Sequence, residues 1–341
     1  MTTSFIRLST LLAVFCISAS AARAGDAKRD ESDPCESVKP AAAGGPVPHD
    51  DEKLVVRWLG TTNYEISYRG QVLLFDTYFD RGPRNRPIGL LSAQVTRADA
   101  IFLGHGHFDH MSDASSIALR LGIRAIGGPP TYEKLLTQGM TDGQAVRVTG
   151  TGGERFAFRG FTVEAVLAHH SVLPGATIAA FTTAIQTELG TPSPAEVAAE
   201  DVVRARGTFD PRVITIGTIA YLLTFDSGFR LIWLDSAGPI TQAEIDLMKR
   251  IGRTDVAIVA YVGHYVQETQ IPVTMALVQL FNPRFYLPGH HDEIRDIFLD
   301  LGTEPLFLTL RDEARVEPIS LLYRGAACFN VKSGKRILAD H

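Results

Sequence analysis

The sequence has no excess of positive charge. Its 341 residues include 33 Lys and Arg against 38 Asp and Glu, which gives a formal net charge of -5 at pH 7. A protein that binds the phosphate backbone of a nucleic acid usually does so through a basic field. The composition therefore disfavours nucleic acid as a partner.

The sequence also lacks an apolar run long enough to cross a bilayer. Its most apolar stretch, Leu8–Ile17, is shorter than the roughly 20 residues that a spanning helix needs. Arg7 precedes this stretch and Ala22-Arg23-Ala24 follows it, which is the pattern of a secretory signal peptide. We predict a signal peptide over residues 1–24, and hence a periplasmic or secreted protein with no stable membrane span after cleavage.

Cysteine is scarce, with three residues in the whole chain. Cleavage after Ala24 removes Cys16 and leaves Cys35 and Cys328. An oxidising compartment then permits at most one disulfide, between these two residues. Two unpaired thiols are the alternative, because pairing depends on a distance that the sequence does not give.

Residues 25–52 lack a regular apolar pattern and are rich in Pro, Ala, Gly and charge, which predicts a linker or flexible arm. We expect the folded domain to span residues 53–341. Residues 171–217 contain no clear strand signal and one helical candidate, Pro194–Arg206. Such a long connection predicts an insertion or lid over a functional site.

The remaining apolar runs are mostly short and β-rich, with helical patterns between them. Two groups of strands with interleaved helices indicate a layered α/β fold around a β-sandwich. The predicted strands are Leu54–Leu59, Tyr64–Tyr68, Val72–Phe75, Ala100–Leu103, Ile123–Ile126, Arg155–Phe158, Phe161–Ala168, Ile219–Phe225, Arg230–Leu234, Val256–Tyr261 and Phe285–Leu287. The predicted helices outside the insertion are Asp113–Leu121, Pro129–Leu136, Gln242–Arg250, Pro272–Phe281 and His291–Leu301.

One short segment concentrates groups that bind metals. His105, His107, Asp109 and His110 lie within six residues, directly after the apolar Ala100–Leu103. Imidazole nitrogen and carboxylate oxygen suit borderline divalent ions such as zinc. A histidine-rich surface loop is the alternative. One ion needs only three or four ligands, so this cluster and the histidines elsewhere suffice for two ions.

The segment His105-Gly106-His107-Phe108-Asp109-His110 resembles the His-x-His-x-Asp-His loop of the metallo-β-lactamase-fold superfamily. Trp58–Ile66 and Leu74–Thr77 resemble the opening hairpin of one branch, which contains ascorbate 6-phosphate lactonases and N-acyl-phosphatidylethanolamine-hydrolysing phospholipase D enzymes. The resemblance covers Leu54–Ile294 apart from the insertion. It implies an α/β fold of four layers, an αββα sandwich.

Three further segments resemble ligand-bearing segments of the family. Ala168-His169-His170-Ser171 is similar to Ala-x-His-Ser, which selects His170; His169 stays open as the alternative, because alternation along a strand turns only one of the two inward. Asp235 ends an apolar strand and resembles the metal-bridging aspartate, although a lone aspartate there is otherwise a turn former or cap. Pro288-Gly289-His290 resembles Pro-x-His and selects His290, with an exposed histidine pair as the alternative.

The resemblance implies two divalent ions, with zinc expected and manganese or iron as alternatives. Asp109 is also implied as a catalytic residue that orients a metal-bridging hydroxide. His264, in Gly263-His264-Tyr265, is implied as a charge stabiliser or proton donor, with a structural loop histidine as the alternative. The implied ligands are His105, His107 and His170 for one ion and Asp109, His110 and His290 for the other, with Asp235 between them.

The implied activity is hydrolysis of a small-molecule ester, lactone or phosphodiester. Asp235 argues against antibiotic hydrolysis, because zinc β-lactamases of this fold lack a bridging aspartate at this position. Two other interpretations stay open: a non-catalytic periplasmic metal-binding or sensing protein on the same scaffold, and an iron-dependent redox enzyme. Arg81, Arg84 and Arg86 suggest either an anion site or a solvated loop.

Overall fold

The computed structural model describes residues 30–338, apart from 173–174, 176–178, 180–182, 184, 188, 262–266 and 293–301. The predicted signal peptide, most of the predicted helix His291–Leu301, and His264 lie outside the described residues. Within the described part of the chain, no helix combines the length and apolar character needed to cross a membrane.

Two β-sheets form the centre of the protein. The described strands are β1 (Lys53–Trp58), β2 (Tyr64–Tyr68), β3 (Gln71–Phe75), β4 (Ala100–Phe102), β5 (Arg124–Gly127), β6 (Ala145–Arg147), β7 (Arg155–Phe158), β8 (Phe161–Ala168), β9 (Thr218–Phe225), β10 (Arg230–Leu234), β11 (Val256–Ala260), β12 (Phe285–Gly289), β13 (Glu317–Pro318), β14 (Ala326–Asn330) and β15 (Lys335–Ile337). The first sheet has the order β15-β14-β1-β2-β3-β4-β5-β6, and the second has the order β13-β12-β11-β10-β9-β8-β7.

Helices lie on the outer faces of the two sheets. The described α-helices are α1 (Phe108–Met111), α2 (Ala114–Leu121), α3 (Pro129–Thr137), α4 (Pro194–Arg204), α5 (Gln242–Ile251), α6 (Gln267–Phe281) and α7 (Glu304–Thr309). Short 3-10 turns occur at Ala41–Ala43, Ser92–Gln94 and Pro211–Val213, and a π-helical turn follows α7 at Leu310–Ala314.

Three apolar clusters fill the spaces between the layers. Between the sheets, the Phe75 ring of β3 lies 5.3 Å from the Trp233 ring of β10. A second cluster packs the outer face of the second sheet against α5, α6 and α7, and a third packs the first sheet against α2 and α3. The predicted four-layer αββα fold is confirmed.

The sequence patterns located the central elements and missed the C-terminal ones. β2, β7, β8 and β10 have the predicted bounds, whereas β6, β13, β14, β15 and α7 were not predicted. The missed strands are short, and one of them, β14, pairs with a strand that is distant in sequence: Phe329 of β14 lies opposite Leu54 of β1. Local periodicity carries no signal of such long-range pairing.

Residues 30–52 pack against the first sheet, so the prediction of a flexible arm is wrong for this stretch. Ala41 and Ala42 are buried, and their amides donate hydrogen bonds of 2.9 and 2.6 Å to the carboxylate of Glu65 in β2. The Cys35–Cys328 disulfide joins the same stretch to β14. Composition misled here, because polar anchors rather than an apolar pattern hold the segment.

Arg57 of β1 is the main polar anchor of this N-terminal segment. Its guanidinium lies 3.4 Å from Glu65 and donates hydrogen bonds to the carbonyl oxygens of Pro34 at 2.7 Å and Ser37 at 2.6 Å. Arg57 and Glu65 are both buried, with 1% of their surface exposed. A buried pair of this kind is tolerated only when its remaining donors and acceptors are satisfied. The N-terminal segment supplies those partners.

Glu244 is a buried carboxyl group in the first turn of α5. Its carboxylate accepts hydrogen bonds from the amide and hydroxyl of Thr241, which together cap the helix. Burial nevertheless raises its pKa to about 7. Because this pKa is higher than the ordinary value of 4.5, the ionised carboxylate destabilises the fold, and the free energy of unfolding falls as pH rises from about 4.5 to 7.

We therefore predict that Glu244→Gln flattens this pH dependence. At pH 8, the variant should exceed the wild type in unfolding free energy by about 3 kcal/mol. Urea unfolding between pH 4.5 and 8 measures the difference. Asp246→Asn, at an exposed position of the same helix, is the control and should keep the wild-type profile. A Glu244→Gln variant with that same profile would contradict the prediction.

Candidate metal centre

Polar side chains lie at one edge of the sandwich, at or just beyond the ends of strands. Asp76 directly follows β3, Asp235 directly follows β10, and His290 directly follows β12. His105 lies three residues after the end of β4. β3 and β4 are parallel neighbours, and so are β10, β11 and β12. The carboxyl ends of parallel strands meet at one edge of a sheet, which is why these residues converge.

His105, His107 and His170 form the first group of candidate ligands. One nitrogen from each lies within 4.8 Å of the others, and the ring centroids are 4.5 to 4.7 Å apart. Burial lowers the pKa of His107 and of His170 to about 4, and that of His105 well below its ordinary value. Neutral imidazoles at neutral pH offer lone pairs to a cation. The buried Nε2 of His105 has no hydrogen-bond partner, which fits a metal-facing atom.

The structure brings His170, rather than His169, into this group. The Nδ1 of His170 lies 2.7 Å from the carbonyl oxygen of Ser171. A carbonyl only accepts, so Nδ1 carries the proton and Nε2 keeps its lone pair. His169 belongs to none of the ligand groups found among the described residues. The role of His170 as a metal ligand stays a prediction.

Asp109, His110 and His290 form the second group. The Oδ2 of Asp109 lies 3.1 Å from the Nε2 of His110 and 3.1 Å from the Nε2 of His290. Burial opposes the charged carboxylate, but the two histidines outweigh it and hold the pKa of Asp109 well below its usual range. An ionised carboxylate and two imidazole nitrogens around one point are a suitable donor set for a divalent ion.

Three carboxylates surround His110. Burial disfavours its charged form, yet Asp109, Asp76 and Asp235 together raise the pKa of His110 well above its ordinary value. Burial raises the pKa of Asp76, and burial together with the charge of Asp76 raises that of Asp235 well above its ordinary value. A divalent cation nearby would favour the ionised form of both carboxylates. The donor set therefore fits metal ions.

Asp235 lies at the floor of the centre, fully buried. Its Oδ2 is 2.6 Å from the Nδ1 of His105 and 3.3 Å from the Nδ1 of His110. Since His110 faces Asp109 through Nε2, Asp235 contacts the other side of that ring. In this position, the carboxylate orients both histidines. The Oδ1 of Asp235 is buried and has no hydrogen-bond partner. The metal-bridging role of Asp235 stays a prediction.

Gly104 makes room for Asp235. A Cβ atom at this position would lie 2.0 Å from the Cγ of Asp235, far inside van der Waals contact. Any side chain larger than hydrogen would therefore displace the carboxylate from behind His105. The sequence alone indicates no role for Gly104, because only the folded chain brings it against the end of β10.

Asp76 is a second supporting carboxylate that received no role from the sequence. It accepts hydrogen bonds from Thr62 at 2.6 Å and from the amide of Gly104 at 3.1 Å, and it lies 2.7 Å from the Nδ1 of His110. Its φ of 57° is in the left-handed region, as is the 63° of His290. Such conformations are uncommon outside glycine and often occur at functional sites. The signal in the sequence was its place at the end of the opening hairpin.

Arg81 is neither an anion site nor part of a solvated loop. Its guanidinium is buried, 2.9 Å from the carboxylate of Asp292 and 2.9 Å from the hydroxyl of Thr61. Asp292 also accepts from the amide of Thr61 at 2.8 Å, and the carbonyl of Thr61 accepts from the amide of His290 at 2.9 Å. This network fixes the backbone that carries His290. The catalytic role predicted for His264 falls outside the described residues and stays a prediction.

Comparison with known proteins agrees with this fold. A family model described as a β-lactamase superfamily domain matches residues 71–291, which is well over half of the chain. The chain belongs to this family. The predicted membership of the metallo-β-lactamase-fold hydrolases is thus confirmed.

Individual relatives are distant. A UPF0173 metal-dependent hydrolase of Cupriavidus necator is 24% identical over 261 residues, covering 76% of this chain and 79% of the relative. The structure of Igni18, a metallo hydrolase from Ignicoccus hospitalis, has a TM-score of 0.57 at 14% identity and covers 82% of this chain and 99% of its own. CmlA, a diiron β-hydroxylase from Streptomyces venezuelae, has a TM-score of 0.51 at 13% identity, covering 84% of this chain and 55% of its own. The two structures support the fold alone.

We predict that His170→Ala lowers the metal content of the protein by about one ion per chain, because it removes one of three ligands of the first group. The matched control is His169→Ala, which should retain the wild-type content. Elemental analysis by mass spectrometry after gel filtration measures both. The opposite pattern, with loss only in His169→Ala, would assign the ligand to His169.

We also predict that Gly104→Ala lowers the unfolding free energy by about 1–3 kcal/mol, because the added methyl overpacks the floor. Displacement of Asp235 should reduce the metal content as well. Gly143→Ala is the control, since a Cβ atom there meets nothing within 4 Å. Denaturant unfolding and elemental analysis test the pair. Wild-type stability and metal content in Gly104→Ala would contradict the role given to Asp235 and Gly104.

Proposed function

We propose that the protein is a dinuclear metal-dependent hydrolase that acts on an ester, lactone or phosphodiester. The observation that carries the proposal is the adjacency of the two ligand groups: the rings of His105 and His110, one from each group, have centroids 3.9 Å apart. Two cations at such adjacent sites supply Lewis acidity and a water of lowered pKa.

The two groups offer six protein ligands, and Asp235, which lies within reach of His105 and His110, is a seventh. Seven protein ligands for two ions are fewer than the eight of two closed four-ligand sites. The exposure is also one-sided. His105, Asp109, His110 and Asp235 are buried, whereas His107, His170 and His290 are partly exposed. Solvent and substrate thus reach the centre from the side of the exposed ligands, while the buried side keeps the ligands in place. This openness favours catalysis over a purely structural or sensing role.

The residues of the chain have distinct tasks in this proposal. Asp109 stays ionised between His110 and His290 and orients the attacking water through its carboxylate. Asp235 and Asp76 hold the rings of His105 and His110, so that their Nε2 atoms keep a fixed direction. The mixed nitrogen and oxygen donor set suits zinc, and manganese or iron are the alternatives.

We further propose that the protein is exported and loses residues 1–24. The charged, apolar and small-residue pattern of that segment supports export. The Cys35–Cys328 disulfide is a second support, because structural disulfides persist mainly in oxidising compartments. Intact-mass measurement of the exported protein should place its first residue at Gly25. A chain that keeps residues 1–24 would contradict export.

The hydrolase proposal is tested on the mature protein purified without added metal. We expect about two divalent ions per chain and turnover of at least one of three substrates: 4-nitrophenyl acetate, γ-nonalactone or bis(4-nitrophenyl) phosphate. Chelation should abolish turnover and zinc should restore it. Asp109→Asn keeps the shape of the side chain but removes its charge, and should lower kcat by on the order of 100-fold or more.

The β-lactam nitrocefin serves as a comparison substrate, and we expect it to be turned over poorly or not at all. Two bound ions without turnover of any of these compounds would contradict the hydrolase and favour the non-catalytic metal-binding alternative. A bound iron pair with redox activity would instead favour the iron-dependent redox alternative, for which the fold of the diiron enzyme CmlA is a precedent.

A further inference from the structure

The end of the insertion lies directly against the loop that carries the ligands. The amide of Thr208 donates a 2.7 Å hydrogen bond to the carbonyl oxygen of Gly106. A Cβ atom at Gly207 would lie 2.3 Å from the backbone nitrogen of Phe108, and a Cβ at Gly106 would lie 2.5 Å from the Cγ2 of Thr208. Two glycines thus allow two backbones to meet without intervening side chains. Residues 204–209 consequently have a fixed position beside the metal centre.

This fixed segment presents an arginine and a phenylalanine next to His107. The Cζ of Arg204, the last residue of α4, lies 4.8 Å from the ring centroid of Phe209 and 5.4 Å from that of Phe108. The Phe209 ring lies 5.4 Å from the His107 ring, at 32° to it. Phe209 is 53% exposed, although it is a large apolar residue. A single exposed apolar residue is common on a protein surface. This ring, however, lies beside a partly exposed candidate ligand, and aromatic side chains line many ligand sites.

Arg204 differs from the other arginines of this region in its partners. Arg206 pairs with Asp113 at 2.7 Å, and Arg212 pairs with both Asp210 and Glu133 at 2.6 Å. Among the residues that the structure describes, no carboxylate forms an ion pair with Arg204. Its contacts are the faces of two aromatic rings, which hold a cation in place without neutralising it.

A purely structural role accounts for only part of this arrangement. A cation at the C-terminal end of a helix is stabilised by the helix dipole. The charge of Arg204 by itself is therefore not evidence for a bound ligand. The helix dipole does not explain why Phe209 stays exposed between Arg204 and His107. A planar guanidinium supported on rings is suited to two parallel hydrogen bonds with a carboxylate or phosphate.

We propose that Arg204 and Phe209 form a substrate subsite at the mouth of the metal centre, for an oxyanion group carried on an apolar or aromatic body. The guanidinium binds the carboxylate or phosphate, and the exposed ring of Phe209 packs against the body. The proposal rests on the proposed function for its position beside a hydrolytic centre. It adds that the favoured substrates are anionic at a point away from the bond that is cut.

The test compares three ligands that share a phenyl ring: phenylacetate, phenylphosphonate and the neutral phenylacetamide. Binding to the metal-loaded mature protein is measured by calorimetry. We expect Arg204→Gln to weaken at least one of the two anions by about tenfold, the scale of one charge-assisted hydrogen-bonded pair, and to leave the amide within about twofold. The anion that responds distinguishes a carboxylate subsite from a phosphate subsite.

Matched variants separate this role from a structural one. Arg204→Lys keeps the charge without the planar fork and should fall between the wild type and Arg204→Gln. Phe209→Leu should weaken all three ligands. Arg250→Gln, at an exposed arginine that pairs with Glu164, should change none of them. Metal content is measured in every variant and should remain at the wild-type value.

Equal weakening of the amide and the anions in Arg204→Gln, or no weakening of either anion, would overturn the subsite. Loss of metal in that variant would also overturn it, since the residue would then act on the centre itself. Turnover in the wild type together with either result would leave the hydrolase proposal standing. Anion selectivity that depends on Arg204, in a protein without turnover, would leave the subsite standing and reject the hydrolase.

Discussion

The contact between buried carboxylates and the rings of His105 and His110 is the constraint on which the centre depends. Asp235 and Asp76 are completely removed from solvent and each lies within hydrogen-bonding distance of an Nδ1 atom. Burial of ionised carboxylates is costly unless opposite charge compensates it. Here, imidazoles on one side and the cations that we propose on the other side supply that compensation. The same contacts aim the Nε2 atoms toward the ligand groups.

The two-sheet architecture makes this constraint possible. The carboxyl ends of β3 and β4 from one sheet and of β10 and β12 from the other converge at one edge, so the ligands come from segments far apart in sequence. The backbone between them is held by specific partners rather than by general packing. Gly104 admits Asp235, and the pairing of Arg81 with Asp292 fixes the segment of His290. Catalytic geometry generally needs such support from residues that do not bind the metal.

The sequence predicted those features whose residues lie close together along the chain. The His105 to His110 cluster was found at once, because its ligands are adjacent and follow a strand. His170 was selected over His169 from a resemblance, and the fold then placed it in the first group. Asp76 received no role, because its place at the end of the hairpin does not show which residue its carboxylate contacts. Its function depends on His110, which lies 34 positions away along the chain.

The N-terminal segment illustrates the opposite failure. Its composition indicated a flexible arm, but Arg57, Glu65 and the Cys35–Cys328 disulfide hold it on the first sheet. The insertion was recognised by its lack of strand signals, yet the contact of residues 204–209 with the ligand loop was not predictable. That contact depends on Gly106 and Gly207, whose missing side chains matter only when the two backbones meet.

The most direct test of the dinuclear centre is a crystal structure of the metal-loaded protein with anomalous scattering at the absorption edge of the bound metal. We expect two anomalous peaks. One should lie about 2.0–2.2 Å from nitrogens of His105, His107 and His170, and the other at a similar distance from Asp109, His110 and His290. A single peak, or peaks away from both of these ligand groups, would contradict the dinuclear centre.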